Sequence, residues 1–354
     1  MENFMREIMG LVAVCVLFFM NVASANIDGM QSCKAVSEET CKVAHDLKRG
    51  INMGNMLEAP NEGDWGVRLD PAYIKLIEGK FDTVRVPIRW SNHASKDSKA
   101  IIDEFFFKRV ERVVDSLLEK GFYVIINMHH YSQLNGGALG RNEFSVEEDV
   151  VEARFLNMWS QISKRFKNKS SKLLFEILNE PHAKLTSERW NKLLVQATDV
   201  IRVENPRRVL LIGPAYWNNI RDLPKLKLPE NDRNIIVSIH NYSPFNFTHQ
   251  GLSWMPHLKR GVVCCNSQQK KGVIRELDQA VSWNKRMGYP LHLGEFGSNQ
   301  NADMVSRANY TRFIREALDE RHIGWAYWEF ASIYGVYDPK KKQWRAPLVD
   351  ALLY

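Results

Sequence analysis

The stretch "RGINMGNM", Arg49 to Met56, decides the fold. Its first half reads as a short strand and its second half as the turn that leaves it. An open, doubly wound sheet usually carries a glycine-rich phosphate turn, GxGxxG, after its first strand. "MGNM" has one glycine and no such spacing. Seven more β-branched or apolar runs follow. They are "TVRVPI" at 83–88, "FYVIINM" at 122–128, "KLLFEILN" at 172–179, "RVLLIG" at 208–213, "NIIVSIH" at 234–240, "PLHLGE" at 290–295 and "IGWAYW" at 323–328.

Helical periods separate most of these runs. Ile102, Phe106, Val110, Val113 and Leu117 form one stripe, closed by Gly121. Val151, Phe155, Trp159, Ile162 and Phe166 form another, with Ser145 and Glu148 as its expected capping box. Two more run through Trp190, Leu193, Ala197 and Ile201, and through Ile274, Leu277 and Val281. Strands alternating with helices predict an α/β fold, a (β/α)8 TIM barrel forming one catalytic domain over residues 49–354.

The apolar run Ile8–Met20 is too short for a bilayer, which needs roughly twenty residues. With Ala23-Ser24-Ala25 behind it, it reads as a cleaved signal peptide over residues 1–25, with a lead-in at 26–48. A secreted protein with no membrane attachment after cleavage is expected. Cys15 would leave with the leader, and the even remainder suits an oxidising compartment. Cys33–Cys41 is the easy local pair. Adjacent Cys264 and Cys265 are expected to bond elsewhere or stay free.

The net charge of +7 comes from lysines and arginines scattered over amphipathic segments. That pattern is explained better by a solvated surface than by a nucleic-acid partner, and no nucleic-acid partner is expected. Ten tryptophans are many for 354 residues, and those not used in packing would suit flat ligands.

A barrel of this kind builds its site at the C-terminal ends of its strands. Arg85 lies in or near the end of the second strand, His129 and His130 come after the third, and Asn179 and Glu180 after the fourth. His240 and Tyr242 close the sixth, Glu295 the seventh and Trp328 the eighth. Two carboxylates on one rim, with hydrogen-bond donors and an aromatic floor, suit glycosidic bond cleavage. Glu180 is the expected acid, kept protonated by partial burial, and Glu295 the expected nucleophile, held ionised by Arg85 and Tyr242. Asn179 would hold the neighbouring sugar hydroxyl. Glu176 is expected to be a buried structural acid paired with an arginine, and Glu329 to face away from the site. Alternation should send His129 and His130 to opposite faces. One histidine alone makes a poor metal site, so neither a metal nor a cofactor is expected.

With "ILNEP", "LGEFG", "VRVPIRW", "NMHHY", "HNYSPF" and a strand-ending "YW", the chain resembles glycoside hydrolase family 5 from about Gly50 to its C-terminus. The resemblance implies a retaining double displacement, with Glu180 as acid/base and Glu295 as nucleophile. It also implies that Arg85, His129, Asn179, His240, Tyr242 and Trp328 complete the site. "GNMLEAPNEGDWG" and "PFNFTHQG" look most like bacterial-type endoglucanases that accept both β-1,4-glucan and β-mannan. By that match Asn55, Glu58, His130, His249 and Trp254 would touch sugar. The implied substrate is a β-1,4-glucan or glucomannan, cut by a monomer. A non-catalytic polysaccharide-binding protein on the same fold is the alternative of another class.

Overall fold

The computed structural model describes residues 31–140 and 142–354, so the expected signal segment, Cys15 and the start of the lead-in lie outside the described residues. The strands are β1 (Arg49–Asn52), β2 (Thr83–Val86), β3 (Tyr123–Asn127), β4 (Leu173–Glu176), β5 (Leu210–Ile212), β6 (Ile235–His240), β7 (Leu291–Phe296) and β8 (Gly324–Tyr327). They form one closed barrel in chain order, each parallel to its neighbours, with β8 returning to β1. The eight runs marked in the sequence are these eight strands, most of them trimmed by one to three residues at an end.

The long helices are α1 (Glu38–Asp46), α2 (Pro71–Ile77), α3 (Glu104–Glu119), α4 (Val151–Phe166), α5 (Ser187–Glu204), α6 (Ser267–Met287), α7 (Met304–Asp319) and α8 (Ala346–Leu353). In α3 the buried face holds Phe106, Val110, Val113 and Leu117 from the expected stripe, and Asp103 caps its start by accepting from the Phe106 N–H. The capping box expected for α4 does not form. No side chain caps that helix, and Glu148 instead accepts from Lys184 Nζ at 2.9 Å. A true capping box, Asn266 with Gln269, opens α6. Between β5 and β6 the ring has no long helix. Only the turn Ala215–Asn218 and a 3-10 helix, Ile220–Lys225, occupy that place.

Helix α1 closes the end of the barrel where the strands begin. Val43, Ala44 and Leu47 pack on Ile125, Leu174, Leu211 and Ile236 in a cluster separate from the main core. Cys33 and Cys41 are joined across α1's first turns. Cys264 and Cys265 are joined to each other, against expectation. A cis peptide between them sets their Cα atoms 3.0 Å apart. No described helix is long and apolar enough to cross a membrane.

Candidate active site

Above the apolar plug the barrel interior turns polar, and Arg85 is its centre. The guanidinium is fully buried and donates to Glu176 Oε2 at 2.8 Å, Asn52 Oδ1 at 2.9 Å, Asn179 Oδ1 at 2.7 Å and Glu295 Oε1 at 2.7 Å. Glu176 also accepts from Asn127 and from Ser238. Burial pushes its carboxyl up, but Arg85 and these donors outweigh burial and hold it below the usual range. It is the buried structural acid that alternation along β4 foretold.

Above this layer opens a cleft of about 1140 Å³. A carboxylate oxygen of Glu180 and one of Glu295 lie within 4.8 Å of each other there, with a His240 nitrogen inside the same radius. Glu295 receives Tyr242 Oη at 2.8 Å besides Arg85. His240 Nδ1 sits 2.8 Å from Glu180 Oε1, and the Asn218 amide lies 3.3 Å from Nε2. With that amide donating to Nε2, the ring proton sits on Nδ1 and faces Glu180. Glu180 adopts a left-handed backbone, φ 49°, at the end of its strand, a conformation that non-glycine residues keep only where the surroundings hold it.

Burial acts on both acids. Burial raises Glu180 to about 7, with the more distant Arg85 only partly opposing it. Burial also raises Glu295, but His240, Arg85 and the Tyr242 hydroxyl pull it back. His240 itself is pushed down to about 4 by burial and so is neutral above that. Arg85 is therefore the lasting cation beside Glu295. His129 and His130 are held well below their ordinary value, chiefly by burial, and serve as neutral partners.

Asn55, His129, His130, Asn179, His240, Tyr242, His249, Trp254 and Trp328 all line the cleft with the two acids, and Arg85 lies directly beneath it. His129 and His130 correct the alternation argument. β3 ends at Asn127, so strand geometry no longer separates them, and their rings meet edge to face at 4.6 Å. Glu58 is a second correction, because it does not line the cleft. Its carboxylate turns back on its own loop to accept the N–H groups of Asn55 and Met56, and burial raises it to about 8. It secures the left-handed turn at Asn55, φ 64°, rather than meeting solvent. Glu329 faces away as expected, accepting from the Ala331, Ser332 and Tyr334 backbone.

Trp65 and Trp217 also line the cleft. Phe245 and Tyr334 join them, Phe245 from the one-turn helix Phe245–Thr248 and Tyr334 from a turn with no period. Tyr131 does not join them: it is buried with its hydroxyl on Arg154. Among the described residues two groups have metal-ligand spacing. One is Glu180, His240 and Glu295; the other is Cys33, Cys41 and His45, whose sulfurs are joined to each other. The first coincides with the acid pair, and its histidine carries the proton on the nitrogen that would bind an ion.

Trp328 lies parallel to the His129 ring, with centroids 5.4 Å apart, and its edge rests on Gly54. A Cβ at position 54 would come within 2.9 Å of the indole. Gly54→Ala should therefore cost roughly 1–3 kcal/mol of stability by overpacking and raise KM, because the indole must shift. Thermal melts and kinetics check this, and a variant with wild-type KM would show that the indole need not keep this position.

Comparison with known proteins gives the family. The family model described as Cellulase (glycosyl hydrolase family 5) matches residues 48–332. Endoglucanase H of Acetivibrio thermocellus is 36% identical over 81% of this chain and 30% of its own length. Cellulase/esterase CelE of the same organism is 31% identical over 92% of this chain and 41% of its own. The chain thus spans well under half the length of these curated relatives. Among solved structures, Thermotoga maritima Cel5A in complex with cellobiose is 41% identical with a TM-score of 0.83, covering 88% of this chain and 99% of that one. Cel5A in complex with a mannotriose substrate matches equally well. The closed eight-stranded barrel and the match over residues 48–332 lead to one conclusion: the chain belongs to glycosyl hydrolase family 5.

Proposed function

We propose that this protein is a secreted endo-β-1,4-glucanase that works by a retaining double displacement. One observation carries the proposal. Glu180 and Glu295 offer carboxyl oxygens within 4.8 Å of each other, the short spacing of a nucleophile and an acid/base with no room for an intervening water. In the first step the Glu295 carboxylate attacks the anomeric carbon. The glycosidic C–O bond breaks, and the Glu180 proton passes to the leaving oxygen. In the second step Glu180, now a carboxylate, takes a proton from water. That water displaces Glu295 and restores both residues.

Trp328 gives the reacting sugar an apolar face, and Asn179, fixed by Arg85, offers its amide to the adjacent hydroxyl. The cellobiose complex of Cel5A supports a glucan. Its mannotriose complex supports glucomannan or β-mannan as a second substrate. The leader expected at residues 1–25 and the two joined cysteine pairs support export.

A panel of amorphous cellulose, mixed-linkage glucan, glucomannan, xyloglucan and xylan tests this reading by reducing-sugar release, with Glu295→Ala as the blank. NMR of the first product should show the β-anomer. Release from none of the five, or an α-anomer, would sink it. The pH profile should be bell-shaped. Glu180 must be protonated, so kcat/KM should fall as pH rises through about 7. Glu295 must be ionised, so activity should also fall on the acid side, as pH drops through a value above the ordinary carboxyl range. An alkaline limb that Glu180→Gln leaves in place would assign it to another group.

A further inference from the structure

The gap in the helix ring between β5 and β6 leaves a groove of about 810 Å³ on the flank of the barrel. One wall is the 3-10 helix Ile220–Lys225 and the other is one face of α6. Its floor is apolar, with Leu223 and Trp283 buried beneath it. Its edge is basic. Lys270, Lys271, Arg275 and Arg286 project from α6, all exposed, and none forms an ion pair among the described residues. The one acid in the groove, Asp278, is neutralised by Arg321 at 2.7 Å. From Lys270 to Arg286 the helix rises about 24 Å, the length of several sugar units.

The groove is not isolated from the cleft. Ile220 and Arg221 line both. A polymer leaving the cleft past these two residues meets four unpaired cations over an apolar floor. We infer that this groove is a binding site for carboxylate-bearing polysaccharide, holding acidic stretches or branches of the chain whose backbone lies in the cleft. The inference rests on reading the cleft as a glycan-cutting site. Arginines and lysines along an apolar trough match uronic acids, whose sugar rings present apolar faces and whose carboxylates lie at the edge.

The test compares carboxymethyl with hydroxyethyl β-1,4-glucan, which share a backbone and differ in charge. The groove variant is Lys271→Glu/Arg275→Glu/Arg286→Glu. The control is Arg112→Glu/Lys164→Glu/Lys192→Glu, three exposed cations on other helices with the same change in net charge. For the groove variant, KM on the carboxymethyl polymer should rise about tenfold and on the hydroxyethyl polymer should not move. The control should change neither by more than about twofold. Equal losses in both variants, or no loss in either, would overturn the inference.

Sedimentation binding of polygalacturonate to the Glu295→Ala chain, with and without the groove changes, needs no turnover. If the wild type cut neither glucan, the reading of the cleft would fail, and this binding step would still decide the groove. Tighter binding of single-stranded DNA or anionic phospholipid vesicles than of polygalacturonate would also overturn the assignment.

Discussion

Glu295→Ala should lose roughly 10⁵-fold or more in kcat on any β-1,4-glucan the wild type cuts, the scale seen when a covalent nucleophile is deleted. The fold should survive, because Arg85 keeps its pair with Glu176 and its bonds to Asn52 and Asn179. Reducing-sugar assays and a thermal melt on the same preparation separate the two effects. Added azide should not restore a product of retained configuration, since no glycosyl-enzyme can form. Activity within tenfold of wild type would remove Glu295 from the mechanism.

Glu180→Ala should behave differently. Losing a general acid/base costs 10²–10⁴-fold in typical enzymes, and here it slows both steps. On an aryl glycoside whose leaving group needs no protonation, the first step should persist and the glycosyl-enzyme should accumulate. Azide needs no base and should then attack the anomeric carbon to release a β-glycosyl azide, with turnover recovering severalfold or more. The left-handed backbone at residue 180 and the short contact with His240 place this one side chain, so alanine removes the proton donor and leaves the cleft walls. An α-azide, or rescue of Glu295→Ala with a β-azide instead, would reverse the two roles.

Most of the barrel was legible because it is local. β-branched runs and helical stripes are decided within ten or twenty residues, and all eight runs became strands. The strand-end rule then placed Arg85, Asn179, Glu180, His240, Glu295 and Trp328 without any long-range information. It lost accuracy where backbone regularity stops. His129 and His130 follow the last residue of β3, so alternation said nothing true about them. Glu58 was drawn away by the unpaired N–H groups of its own turn, a competition that no spacing reveals. Ser145 sits six residues before α4, which runs straight on from the 3-10 turn Glu148–Val150. Tyr334 reached the cleft from a turn that the tertiary fold alone positions. The missing helix between β5 and β6 left only the lack of a periodic stripe as its trace.

The plug formed by α1 has a practical consequence for anyone shortening this protein. The family-model match begins at residue 48, whereas the compact body begins at Gln31. Gln31 donates to the Leu291 and His322 carbonyls, and Leu47 seals the strand-start mouth with no exposed surface. A version cut at residue 48 would keep both acids of the cleft and still leave a greasy opening at the opposite pole of the barrel. Recombinant boundaries drawn from alignment alone would trade away solubility at a place no activity assay inspects.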